Sequence, residues 1–138
     1  MHPFAGDPSR CAPLELWKEA AEQFRGKYKV LWFGTPTELD KIRGLGEDDY
    51  FSDELSGGDF TNSVKLMVGS SLFVGHDSGP MHIAASLRIP TLGLFLPGEP
   101  YRTFPQGDGK SKVISKAEPY ELTSYEMVNT IKGMLQDS

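Results

Sequence analysis

Cysteine is almost missing from this sequence: Cys11 stands alone among 138 residues, which excludes an internal disulfide framework and fits a reducing compartment. Long apolar runs are missing too, and no stretch approaches the roughly 18 residues that would predict a membrane span. The opening residues, MHPFAGDPSR, hold no apolar segment of the secretory kind, and the chain is read as cytoplasmic. Positive charge is in deficit, with 14 Lys and Arg against 19 Asp and Glu for a formal net charge of −5. A broad nucleic-acid surface needs clustered cations, so no nucleic-acid partner is expected. Internal repeats and low-complexity segments are absent as well.

What is present has the composition of a globular protein, 38% hydrophobic and 24% charged. A chain of this size can bury about two thirds of its unfolded surface, and one domain over residues 1–138 is expected. From Pro13 to Arg25 the apolar Leu14, Trp17, Ala20, Ala21 and Phe24 recur at helical spacing, with Pro13 suited to the first turn and Gly26 to the stop. KYKVLWF reads as a buried strand ending at Gly34, and GTPTELDKI as a loop leading into a helix. A short strand near Tyr50 is the most that the polar, Gly-rich segment after it supports. A second amphipathic helix starts near Phe60, carries Val64, Met67 and Val68, and takes Asp59 or Thr61 as its cap.

SLFVGH and TLGLFL are apolar runs of strand length that bracket a small-residue helix from about Pro80 to Leu87. Residues 97–111 form a Pro/Gly-rich loop, KVIS a last strand, and TSYEMVNTIKGMLQ a closing helix. That helix has a capping box, Thr123 to Glu126, and a stripe of Met127, Val128, Ile131, Met134 and Leu135. Strands that alternate with helices predict an α/β domain with a doubly wound, mostly parallel sheet covered on both faces. Such sheets bind ligands at the carboxyl ends of their strands.

GHDSGPMH, residues 75–82, falls at that edge, where a strand ends and a helix begins. The first N–H groups of a helix have no intrahelical partner and sit at the positive end of its dipole, so Ser78 and Gly79 are candidates to meet a phosphate or carboxylate. Asp77 suits ligand hydroxyls better, as on a sugar. The plainer alternative is that Asp77 or Ser78 caps the helix and His82 is a satisfied, partly buried histidine. A serine hydrolase centred on Ser78 is disfavoured, because the nucleophile elbow needs Gly-x-Ser-x-Gly and the spacing here is Gly-x-x-Ser-Gly. A metal site from His76, Asp77 and His82 is disfavoured too, since adjacent strand positions point to opposite faces. Neither a metal nor an organic cofactor is expected.

VGHDSGPMHIAASLRIPTLGLFLPGEP resembles the signature of the heptosyltransferase family, the lipopolysaccharide glycosyltransferases that use ADP-heptose and related nucleotide sugars. HPFAGDPSRCAPLELW is similar to that family's His-Pro loop, basic residue and Pro-x-x-x-Trp helix start, and KVLWFGTPTELD to its strand and Gly-Gly-Pro-x-Glu turn. The resemblance implies two Rossmann-like domains in the arrangement called GT-B, of which this chain matches the second, nucleotide-sugar half. It further implies that Phe4, Ala5, Gly6 and Arg10 approach the donor diphosphate together with Ser78 and Gly79. Asp77 would hold sugar hydroxyls, and Met81 and His82 would line the same crevice. Phe4 stands where the family has a small Gly, and Cys11 and Ala12 replace a basic and an aromatic residue.

No catalytic residue is assigned on this reading, because the acceptor-binding half that carries the family's catalytic carboxylate is not represented. Glycosyl transfer would then need an acceptor-binding partner, and a repurposed, non-catalytic binding module is the alternative. The first strand of this half normally precedes the His-Pro, which here follows Met1 directly. The stub Met1 to Pro3 is therefore expected to leave a poorly paired seam in the sheet, covered by a second copy of the chain or by a separate acceptor-binding protein.

Overall fold

The computed structural model describes residues 1–4, 8–45, 49–52, 61–76, 79–96 and 111–136. Five short strands are found among them: β1 (Leu31–Phe33), β2 (Tyr50–Ser52), β3 (Phe73–His76), β4 (Thr91–Phe95) and β5 (Ser111–Ser115). The helices are α1 (Leu14–Phe24), α2 (Pro36–Asp40), α3 (Thr61–Val68), α4 (Gly79–Ser86) and α5 (Ser124–Gln136). No helix among the described residues is long and apolar enough to cross a membrane.

β1 pairs in parallel with β2, and β3, β4 and β5 form a second parallel ladder. The stub at Met1 and His2 joins the two. On one side the Met1 amino group donates to the Leu31 carbonyl at 2.6 Å and the Phe33 N–H donates to the Met1 carbonyl at 2.9 Å. On the other, the His2 N–H donates to the Val74 carbonyl at 2.9 Å, and His2 bridges Gly75 in parallel. The spatial order is thus β2, β1, stub, β3, β4, β5. Taking the stub as the first strand, this is the 3-2-1-4-5-6 order of a Rossmann-like α/β sheet. The two stub residues, Met1 and His2, are thus bonded to β1 on one side and to β3 on the other.

Side-chain alternation along the strands splits the core in two. Trp32, Val74, Leu92, Leu94 and Ile114 project into one cluster with Trp17, Ala20 and Phe24 of α1 and Met127 and Ile131 of α5. Phe33, Phe73 and Phe95 project the other way, against Met67 of α3 and Met81 and Ala84 of α4. Strands covered on both faces read as unbroken apolar runs, which is why FVGH and TLGLF showed no alternation in the sequence.

Local chemistry sets the element ends. The Arg25 N–H reaches the Ala21 carbonyl, and the Lys27 and Tyr28 N–H groups both return to the Phe24 carbonyl, so the chain curls at the end of α1. The strand expected from Lys27 consequently begins only at Leu31. α2 opens with the full capping box, Thr35 Oγ1 accepting from Glu38 N–H and Glu38 Oε1 from Thr35 N–H. Thr123 Oγ1 accepts the Glu126 N–H at the start of α5. Arg88 at φ 63° closes α4 in the left-handed region, with Ile89 N–H on the Ala84 carbonyl and Arg88 N–H on the Ala85 carbonyl, a Schellman motif on a non-glycine residue.

α3 departs most from the expected pattern. Ser63 and Met67 face inward while Val68 is 60% exposed, because the helix turns its 63/67 edge toward the sheet and the small-residue helix α4. Thr61 is its first residue rather than its cap, and the alternative cap Asp59, with Phe60, lies outside the described residues. In α1, Leu16 is buried and Leu14 only partly so.

A partly buried ion pair fastens α1 to the β1–β2 side. Arg25 is bidentate to Asp49, Nε to Oδ1 at 2.9 Å and Nη2 to Oδ2 at 2.7 Å, and Trp32 Nε1 donates to Oδ2 at 2.8 Å. Desolvation pushes the Asp49 carboxyl up, but the hydrogen bonds from Arg25 and Trp32 outweigh it and hold the group below its ordinary value. Asp49→Ala strands the guanidinium and the indole N–H, and is expected to cost about 3 kcal/mol in urea denaturation.

Gly75 is the close-approach point between the stub and β3. A Cβ there would lie 2.8 Å from the Phe73 ring and 3.5 Å from His2 Cβ, and the Phe73 ring is buried beside Phe33 with centroids 6.1 Å apart. Gly75→Val is expected to destabilise by about 2 kcal/mol. Gly79→Ala, with nothing within 4 Å of the added atom, is expected to stay within about 0.5 kcal/mol of the parent. The same denaturation series checks both.

Candidate functional site

The strand order reverses between the stub and β3, and a doubly wound sheet opens its ligand crevice at that point, beyond the carboxyl ends of the two strands. Two connections leave the sheet there. From the stub the chain passes Phe4 and a 3-10 turn at Pro8–Arg10 into α1, and from His76 it passes into α4 at Gly79.

One hydrogen bond ties these connections together. The Ala12 N–H donates to His76 Nε2 at 3.3 Å, so Nε2 is the unprotonated nitrogen of that ring. Trp17 of α1 meets the same ring edge-to-face, with centroids 5.5 Å apart. Burial drives the His76 pKa down to about 4; the Leu94 backbone pulls it upward, and the positive charge of Arg10 lowers it further. Arg10 is therefore within electrostatic reach of the last residue of β3, the one that precedes Asp77.

His2 is the second neutral imidazole under the crevice. Burial brings its pKa to about 3, helped by the Met1 amino group and by His76. Its ring stands edge-to-face with Phe4 at 6.0 Å. Neither imidazole is charged near neutrality, and Arg10 is the charged group that acts on His76. No acidic residue occupies the first turn of α4, and Gly79 is exposed, with open space on its Cβ side. Helix starts in general favour negative over positive charge. His76 accepts the Ala12 N–H and is buried.

Not all the expected residues gather here through their side chains. Arg10, Gly79 and His82 lie on the two connections, Arg10 and His82 partly exposed. The Phe4 side chain, 8% exposed, instead packs into the core, where a Cβ on Gly34 would come within 3.2 Å of it. Met81 is fully buried in the core cluster with Phe33 and Met67, so its side chain supports the helix rather than lining a surface. Ala5, Gly6, Asp77 and Ser78 lie outside the described residues, as does the loop at 97–110. The sequence carries no site signal at Ala12 or Trp17. Ala12 contributes a backbone N–H that carries no residue-type signal, and Trp17 had every mark of a core residue, which it also is.

Strand order and parallel ladders define a Rossmann-like α/β domain with its switch point between the stub and β3. The family model described as Glycosyltransferase family 9 (heptosyltransferase) matches residues 8–133, and the chain belongs to that family. Lipopolysaccharide heptosyltransferase 1 of Escherichia coli O18:K1:H7 (strain RS218 / NMEC) is 23% identical over 129 residues, which cover 91% of this chain and 38% of the relative. The crystal structure of a glycosyl transferase family 9 protein from Veillonella parvula DSM 2008 superposes with a TM-score of 0.86 at 19% identity, covering 99% of this chain and 45% of that one. The E. coli heptosyltransferase WaaC with ADP gives 0.76 at 18% identity, covering 96% and 42% of the two chains. Its complex with ADP-2-deoxy-2-fluoro heptose gives 0.79 at 19%, covering 95% and 41%. The chain thus spans well under half the length of these relatives.

The neutral histidines make stability depend on pH. Their folded pKa values, about 4 for His76 and about 3 for His2, lie below the ordinary 6.5. Below about pH 6.5 the unfolded chain takes up protons that the folded chain refuses, so stability is full above that pH and is lost as pH falls toward the folded values. By pH 4 the loss from His76 alone is of the order of 3 kcal/mol. Thermal melts between pH 4.5 and 7.5 should show Tm falling steadily with acidity. His76→Gln, which keeps an acceptor for Ala12, should flatten part of that slope, and a Tm indifferent to pH would contradict the assignment.

Proposed function

We propose that this chain is the donor-binding domain of a heptosyltransferase-type glycosyltransferase, holding the nucleoside diphosphate of an ADP-heptose-like sugar at the switch point between the stub and β3. The observation that carries the proposal is the Ala12 to His76 hydrogen bond, which brings the loop bearing Arg10 against the strand end that leads into the Gly79 helix start. Two WaaC structures that superpose on this chain were determined with ADP and with an ADP-sugar, which supports an adenosine diphosphate group as the ligand class.

The chemistry follows from charge. Transfer of a sugar from a nucleotide diphosphate builds negative charge on the departing diphosphate, and fixed N–H donors with a guanidinium neutralise it without rearrangement. Arg10 and the first amides of α4, from Ser78 and Gly79, take that part. Asp77, acceptor-only when ionised, receives hydrogen bonds from sugar hydroxyls. The chain binds the donor and does not transfer sugar alone; transfer needs the acceptor-binding half, joined or separate, that completes a GT-B enzyme. A cytoplasmic location matches such a donor.

Calorimetric titration with ADP, UDP and ADP-heptose tests this. ADP and ADP-heptose should bind saturably. Arg10→Ala should weaken both at least about tenfold, the effect of losing a charged hydrogen bond. Asp77→Ala should weaken ADP-heptose while sparing ADP. No saturable heat with any of the three ligands would sink the proposal.

A further inference from the structure

His76 is a polar residue in an apolar place. It closes β3 at 1% exposure, and alternation along the strand sends its ring to the face of Val74, the one that α1 covers. Trp17, itself fully buried, meets the ring there edge-to-face. A leucine of similar size would fill that space without burying an imidazole. What the imidazole adds is an acceptor, and Nε2 takes the Ala12 N–H at 3.3 Å. Ala12 is buried as well, so its N–H has no bulk water to turn to. The bond lies where it controls a turn. Pro13, at φ −58° and ψ 143°, leads into α1, its carbonyl accepts the Leu16 N–H at 3.0 Å, and its ring confines Ala12 to extended backbone. Pinning Ala12 therefore leaves one residue, Cys11, between a fixed point and Arg10, the last residue of the 3-10 turn. The Arg10 charge reaches the His76 ring, and a neutral ring accepts the Ala12 N–H without repelling the guanidinium.

We propose that His76 is a positioning residue for the donor site: by holding the Ala12 N–H on Nε2 it sets the Arg10 turn before a ligand arrives. Arg10 then meets a nucleoside diphosphate as a preorganised cation, and binding does not have to order its loop. This rests on the donor-binding reading for the ligand and goes beyond it in naming the group on which the placement of Arg10 depends. A space-filling role for His76 has a different signature. Any apolar side chain of the right volume satisfies it, whereas the positioning role is satisfied by glutamine, which accepts a hydrogen bond, and not by leucine, which cannot. Cys11 makes the difference measurable without a ligand. It is the one cysteine of the chain, it is partly exposed, and it lies between the pinned residue and Arg10.

The experiment compares the full chain with His76→Gln and His76→Leu, reading Cys11 alkylation by iodoacetamide under native conditions and ADP affinity by calorimetry. His76→Leu should speed alkylation and weaken ADP at least about fivefold each, the effect of losing one buried hydrogen bond. His76→Gln should stay within about twofold of the parent on both counts, since its amide oxygen still accepts. Asp49→Ala, which destabilises the chain away from this turn, should leave the alkylation rate within about twofold, separating loss of the bond from loss of stability. In an Arg10→Ala background, His76→Leu should change ADP affinity by less than about twofold, because the side chain it would misplace is already gone. One reading needs no variant: the Ala12 amide of the parent should exchange hydrogen at least about tenfold more slowly than an unbonded amide. The inference is overturned by alkylation that His76→Leu leaves unchanged, by His76→Gln behaving like His76→Leu, by Arg10→Ala and His76→Leu effects on ADP that add, or by free exchange at Ala12. If the parent takes up no ADP, the donor-binding reading fails, and alkylation and exchange decide whether His76 holds the turn.

Discussion

Three backbone hydrogen bonds hold this fold in one piece: Met1 to Leu31, Phe33 to Met1, and His2 to Val74. They join the two-stranded β1–β2 ladder to the three-stranded β3–β4–β5 ladder. Each bond is worth only about 1 kcal/mol net. Their weight comes from position, because they lie between two apolar clusters where an unmade bond would leave a donor or acceptor with no water to replace it. Gly75 permits the approach, and its pairing opposite Gly93 in the β3–β4 ladder keeps two successive strands without side chains at that level.

The same constraint creates the crevice. A short central strand that pairs on both sides forces the chain to leave in two directions, toward α1 and, from β3, toward α4, and the gap between these exits is where a ligand can meet helix-start amides. The protein keeps that gap electrically simple. Two histidines lie beside it, and burial holds both neutral near pH 7. His76 then works as a spacer and hydrogen-bond acceptor, fixing Ala12 and with it the turn that carries Arg10. The ion pair of Arg25 with Asp49, backed by Trp32, plays the corresponding part at the far end of α1, where the sheet would otherwise splay.

Much of this was legible in the residues because it is local. Helical spacing of Trp17, Ala20, Ala21 and Phe24, the Thr123 to Glu126 box, and the apolar FVGH and TLGLF runs each follow from the chemistry of a few neighbours, and the elements appeared where those patterns put them. Boundaries moved where a backbone bond intervened, as when Lys27 and Tyr28 folded back on Phe24. Val68 was misplaced because a helix carrying apolar residues around more than one face needs its neighbours to decide which edge turns inward.

What the sequence by itself determined is the order of strands and helices, the two-sided burial of the sheet and the helix start rich in Gly and Ser, since periodicity and turn chemistry act within a few residues. Tertiary structure alone decided that Met1 and His2 complete the sheet, and that Phe4 and Met81 turn into the core. It alone brought the Ala12 N–H to His76. Those outcomes depend on backbone groups and on contacts between residues up to 64 positions apart, and a backbone N–H is the same in every residue but proline. No side-chain pattern can announce where it will be spent.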